Sequence, residues 1–147
     1  MKRIVYLRPD GDLSVVIPVI SPGFTEQDAV DRALTKDVPP GATSIRVVDA
    51  AELPTNRVFR NGWKVDLTID MLKAREIHRD RIRAAREKEF KTLDAEWMKA
   101  VGQKKTAEAD VIEAKRQALR DAPDDPRINA AVTPEELNAI WPAGLPR

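Results

Sequence analysis

The chain has no cysteine and a single histidine among its 147 residues. Without cysteine there is no disulfide framework and no thiolate metal site, and the absence fits a cytosolic product. The formal net charge is only +1, because 25 basic residues face 24 acidic ones. A balance that even sets up no field to draw in nucleic acid or an anionic membrane. No stretch approaches the ~18 apolar residues of a spanning helix. Met1-Lys2-Arg3-Ile4 leads straight into alternating residues, so no signal-peptide core is expected. Gly41, Gly62 and Gly102 stand alone, and no phosphate-cradling loop or dinucleotide fingerprint surrounds them. No serine sits in a nucleophile elbow. Catalysis, a cofactor, bound metal and a small-molecule substrate are therefore not expected.

What the chain does have is charge and helix. Hydrophobic residues make up 42% and charged residues 33%, a modest core with long solvated faces. The most informative stretch runs from 70 to 101. It reads as one long charged helix opened by Asp70 as N-cap and broken by Gly102. Ile82, Phe90, Leu93, Trp97 and Val101 fall within roughly a 100° arc at helical spacing. Ile69, Leu72 and Ile77 form an earlier, offset patch. Pairs such as Asp80–Arg83 and Glu87–Lys91 support the helix by about 0.2–0.5 kcal/mol each. Burying one leucine contributes about 1.5–3 kcal/mol, so the apolar stripe decides where the helix lies. A helix of that length cannot be tucked inside so short a chain, and part of it must project or meet a partner.

Before it, 2–8 alternates as a strand. Pro9-Asp10-Gly11-Asp12 is a turn, and 13–20 returns as a second strand whose Pro18 places it at a sheet edge. Thr25 with Asp28 imitates a capping box, opening a helix that Pro39-Pro40-Gly41 stops. A third strand spans 44–48. Asn61-Gly62 is a turn dipeptide, and 64–69 alternates as a fourth strand. After the long helix, 106–121 reads as a second helix, the short connection favouring an antiparallel hairpin. Thr133-Pro134-Glu135-Glu136 starts a short helix over 134–140. The expected fold is α+β: a small ββαβ domain over 1–67, then a helical arm over 68–147.

Candidate chemistry is sparse. His78 lies in a charged helical run, with Asp80 facing elsewhere and Arg75 and Arg79 opposing protonation, so it reads as a solvated surface residue rather than a general base. Asp124-Asp125 and Glu135-Glu136 border prolines and helix starts, where acids are favoured locally. The run Arg75, Arg79, Arg81, Arg83, Arg86, Lys88, Lys91 could track phosphates, but Glu76, Asp80, Glu87 and Glu89 interrupt it, and an ion-paired solvated face is the expectation. Trp63, Trp97 and Trp141 sit in three segments, each a core anchor or a contact hot spot. Trp141, between prolines, is the one most expected at a surface.

Three features carry a family resemblance, and two further stretches add to it. Leu93-Asp94-Ala95-Glu96-Trp97-Met98 ends a helical stretch. Lys115-Arg116-Gln117-Ala118-Leu119-Arg120-Asp121-Ala122-Pro123 resembles an arginine-glutamine-alanine-leucine-arginine-aspartate segment followed by proline. Trp141-Pro142 matches a closing tryptophan–proline pair. Asn56-Arg57-Val58-Phe59-Arg60-Asn61-Gly62-Trp63, followed by Lys73-Ala74-Arg75-Glu76-Ile77-His78-Arg79, is similar to small proteins encoded among phage tail genes. In about half of its length the chain thus resembles tail fibre assembly proteins, or tail assembly chaperones, of tailed bacteriophages. The resemblance implies a non-enzymatic protein that binds a tail fibre or another tail protein in the host cytoplasm during assembly. The alternatives are a structural component retained in the virion tail or fibre, a self-associating bundle, and an adaptor that binds nucleic acid through its arginines. Phe90, Leu93, Trp97, Val101, Leu119 and Trp141 are the expected contact residues.

Overall fold

A computed structural model describes all 147 residues, and the fold is α+β. The chain forms two compact units, Met1–Ala74 and Arg75–Arg147.

The first unit is built on a three-stranded antiparallel sheet of β1 (Lys2–Leu7), β2 (Leu13–Val16) and β3 (Thr43–Asp49), in the order β2-β1-β3. The turn between β1 and β2 closes where Gly11 adopts φ +86° and donates its N–H to the Arg8 carbonyl at 2.9 Å. That positive φ suits glycine. Directly paired residues share a face. Ile4 therefore lies beside Val16 and Val47, and Val5 beside Val15. The Ile4 face packs on α1 (Glu26–Lys36) through Val30 and Ala33. The Val5 face packs with Leu13 and Val48 against Leu53 and Trp63 of the segment that follows the sheet.

Capping sets the helix boundaries. Thr25 Oγ1 accepts the Asp28 N–H, and the Asp28 carboxylate accepts the Thr25 N–H at 2.8 Å, which closes the capping box read from the sequence. The Thr25 hydroxyl, which donates to the same carboxylate at 2.7 Å, and then the Thr25 N–H hold the Asp28 carboxyl below its usual range.

Two strand assignments need correction. β2 stops at Val16, and Ile17, Val19 and Ile20 are exposed. Pro18 lacks the N–H that continued pairing at that point would use. Residues 64–69 form no fourth strand. Asp66 folds back on the Thr68 N–H and hydroxyl, Leu67 takes φ +66°, and a lone Trp63–Ile69 bridge is all the pairing that remains. An aspartate that satisfies the backbone locally competes with a ladder. At the opposite edge, β3 carries a register irregularity against β1 between Val5 and Leu7, and Ser44 has φ +53°. Such bulges blunt an edge against pairing with other sheets.

Asp70 accepts the N–H groups of Leu72 and Lys73 and so opens α2 (Met71–Gly102). Its first turn belongs to the first unit and the rest to the second. There α3 (Thr106–Asp121) follows, then a 3-10 turn (Ala122–Asp124), α4 (Pro126–Ala130) and α5 (Pro134–Ala139). Ala100 packs with Ala109 and Ile112, Asp94 pairs with Arg116, Arg86 reaches the Leu119 carbonyl, and Arg79 the Pro123 carbonyl. The partners rise in number as the α2 residues fall, so the two helices run in opposite directions.

α4 was not foreseen. Asp125 caps it by accepting the Arg127 N–H at 2.9 Å, and Pro126 occupies its first turn. Its Ile128 is fully buried. Thr133 and Glu136 make the second capping box, at the start of α5, whose Leu137 is also fully buried.

Candidate functional site

The helical unit holds all six expected contact residues, and it divides them. Leu93 and Trp97 are half-buried and pack on Ala100, Ala109 and Ile112, where α3 covers the middle of the stripe. Trp97 is further roofed by the Arg116 guanidinium, 5.0 Å from its ring centre. Arg116 in turn bonds Asp94 at 2.8 Å and pairs with Glu113. Phe90 is half-buried beneath the Arg86 guanidinium at 5.5 Å. Leu119 is half-buried and lines two cavities, of about 270 and 380 Å³. Trp141 is half-buried and meets the His78 ring edge-on, with centres 5.8 Å apart. Val101 stays open, at 48% exposure.

Much of the stripe is therefore sheltered by the chain's own second helix and C-terminal segment. What remains uncovered lies at the α2–α3 turn. Met98 is 69% exposed and Val111 58%. At the turn Trp97, Val101, Lys104, Thr106, Ala109 and Asp110 line a depression of about 370 Å³. Apolar walls with one cation and one carboxylate suit an apolar side chain of another protein, flanked by a hydrogen bond or an ion pair. No group of three or more metal-ligating side chains gathers anywhere in the chain, and no helix is long and apolar enough to cross a membrane.

His78 is not the solvated residue its neighbours in sequence imply. It is fully buried, with Nε2 2.6 Å from the Ile140 carbonyl. The sequence did carry a sign of this. Ala74, His78 and Ile82 are spaced by four, and all three are fully buried. Such spacing puts side chains on one helical face.

The arginines of α2 act within the unit. Arg86 donates to the carbonyls of Leu119 and Arg120 at 2.7 and 2.9 Å, satisfying acceptors that the end of α3 leaves open. Arg75 donates to the Ala131 carbonyl at 3.0 Å and Arg81 to Asn138 Oδ1 at 3.1 Å. Arg79 donates to the Pro123 carbonyl at 3.3 Å and to Asn129 Oδ1. Arg83 pairs with Asp80 at 2.7 Å. The acidic pairs are also structural, since Asp125 and Glu136 cap α4 and α5. In urea unfolding, Arg86→Ala is expected to cost about 1–3 kcal/mol, because two carbonyls lose a charged donor. Arg86→Lys is expected to recover part of it, since an ammonium lacks the planar fork.

No family model, curated protein or solved structure matches this chain.

Proposed function

We propose that this protein acts by binding another protein, without catalysis, as an accessory to tail fibre or tail assembly in a tailed bacteriophage. The observation that carries the binding role is the uncovered apolar surface at the α2–α3 turn, where Met98 and Val101 are exposed and Trp97 and Val101 line a depression. The resemblance of Leu93–Met98, Lys115–Pro123 and Trp141-Pro142 to tail fibre assembly proteins supplies the partner class. In this reading a tail fibre or neighbouring tail subunit lays apolar side chains against that surface during assembly.

Nucleic-acid binding is the weaker reading. Arg75, Arg79, Arg81 and Arg86 already direct donors at oxygen atoms of their own chain, which leaves few free to reach phosphates.

Co-expression with a tail fibre subunit of a tailed bacteriophage tests the proposal. The wild-type protein is expected to raise the yield of soluble fibre. The double variant Met98→Asp, Val101→Asp is expected to abolish that gain while remaining folded, since both side chains are exposed and such surface changes stay within about 0.5 kcal/mol each. Equal yields with wild type and variant would remove this surface as the contact.

A further inference from the structure

Residues 140–147 lie across the helical unit as a strap, and its contacts converge on one histidine. The Ile140 carbonyl is 2.6 Å from His78 Nε2. A carbonyl only accepts, so Nε2 carries the proton. The next residue, Trp141, sets its ring edge-on to the His78 ring at 5.8 Å and 70°. Its indole N–H donates to the Leu145 carbonyl at 3.1 Å, closing the strap on itself. The Arg81 guanidinium lies 5.2 Å over the Trp141 ring and reaches back to Asn138, just ahead of the strap.

Beneath the strap the floor is mostly apolar, with Asp125 at one cavity and Glu89 and Lys115 at the other. Ile140, Pro142 and Ala143 wall a cavity of about 270 Å³ whose other side is Ile82, Ala118 and Leu119. Ala143, Gly144 and Leu145 wall a second, of about 380 Å³, against Leu93, Ala118 and Leu119. Two of the residues read from the sequence as partner contacts, Leu93 and Leu119, are thus lidded by the chain's own C-terminal segment.

We propose that residues 140–147 are a strap latched by neutral His78, which opens on acidification and uncovers the apolar floor of Ile82, Leu93 and Leu119. The charged groups that face His78 are Arg79 and Arg81 from α2 and Arg147 from the strap itself, all cationic. Asn138 of α5 brings no charge and is engaged by Arg81. A proton added to His78 enters a site out of water among three like charges.

The sign of the effect follows from linkage. Burial first, then Arg81, Arg147 and Arg79, lower the His78 pKa, and the Ile140 hydrogen bond offsets only part of this. An opened strap lets water reach the ring, which then titrates near ~6.5. The open form thus takes up a proton that the closed form resists. The latch is at full strength above that value and weakens as pH falls below it toward the folded value. Side-chain carboxylates titrate mainly below about pH 5, so the window above belongs to His78 among the side chains. What the uncovered floor takes up rests on the binding role proposed above. Release of the strap does not, and is measured on the protein alone.

Hydrogen exchange of the full chain, corrected for intrinsic rates and compared at about pH 7.5 and about pH 5, tests the latch. Protection of the Leu145 amide, bonded to the Pro142 carbonyl at 3.3 Å, and of the Trp141 indole N–H, bonded to the Leu145 carbonyl at 3.1 Å, is expected to fall several-fold on acidification while α3 keeps its own. His78→Gln retains an N–H donor for Ile140 and cannot titrate, and it is expected to hold protection equal at both pH values. Arg147→Gln removes one like charge and is expected to shrink the acid effect. Unchanged protection in the wild type would overturn the proposal, as would an equal acid loss in His78→Gln. Should His78→Gln not fold, an undiminished acid effect in Arg147→Gln overturns it.

Discussion

Ile82→Asp is expected to unfold the helical unit. Ile82 is fully buried on α2 and lines a cavity with Ala118, Leu119, Ile140 and Pro142. It is the point where α3 and the C-terminal strap both meet the long helix. Truncation to alanine at such a site costs about 2–5 kcal/mol. A carboxylate there must also be desolvated or stay protonated, which adds several kcal/mol more. Against a total stability of about 5–15 kcal/mol, Ile82→Ala should still fold and Ile82→Asp should not. Far-UV circular dichroism in a urea series distinguishes them. Ile82→Ala is expected to lower the midpoint at constant slope, and Ile82→Asp to lose the cooperative helical transition. Ile82→Asp with wild-type stability would mean that α3 and the strap do not cover α2.

Trp63→Ala is expected to cost about 3–5 kcal/mol, which brings the first unit close to its limit. Trp63 is 5% exposed and packs with Val5, Leu13, Val48 and Leu53. That cluster is one of only two layers that cover the sheet, and residues 53–70 contribute no strand of their own to replace it. The Arg57 guanidinium sits 5.0 Å over the ring, yet the buried indole N–H finds no acceptor. An unsatisfied donor is a cost already carried by the wild type. Trp63→Phe removes that donor and keeps most of the ring, so its loss should be well below that of alanine. Thermal unfolding of the two variants checks the ordering, and equal losses would show that the indole nitrogen is satisfied after all.

The fold was legible in the sequence where one residue satisfies its own backbone. Thr25 with Asp28, Asp70, and Thr133 with Glu136 each announced a helix start, and each closes the hydrogen bonds that such a start leaves open. Asp125-Pro126 carries a signature similar to Thr133-Pro134, a capping side chain followed by proline, and it opens α4, a helix absent from the expected arm. The alternation of 64–69 misled because Asp66 and Thr68 resolve the backbone within a turn.

The candidate site was harder to read because its shelter comes from far along the chain. The arginines of α2 looked like a solvated row. Apart from Arg83, which pairs with Asp80, their partners are carbonyls and amide oxygens some 33 to 57 residues away, which no local pattern reveals. Leu93 and Trp97 belong to the apolar stripe of α2, and that stripe is met by α3 and the strap. His78 was read by the charge of its neighbours in sequence, although the Ala74–His78–Ile82 spacing sets it on the buried face. Val101 is the most open of the six, with about half of its surface in solvent, because α2 runs past the point where Ala109 and Ile112 close the pair.

The binding role is tested most directly by oxidative footprinting of this protein with and without the fibre subunit. Met98 and Met1 are similarly open in the free chain, at 69% and 67% exposure, so they serve as reporter and control. Protection of Met98 and Trp97 on complex formation, with Met1 still oxidised, is the expected result. Unchanged oxidation of Met98 in a complex that protects Phe24 instead would place the contact elsewhere and contradict the proposed surface.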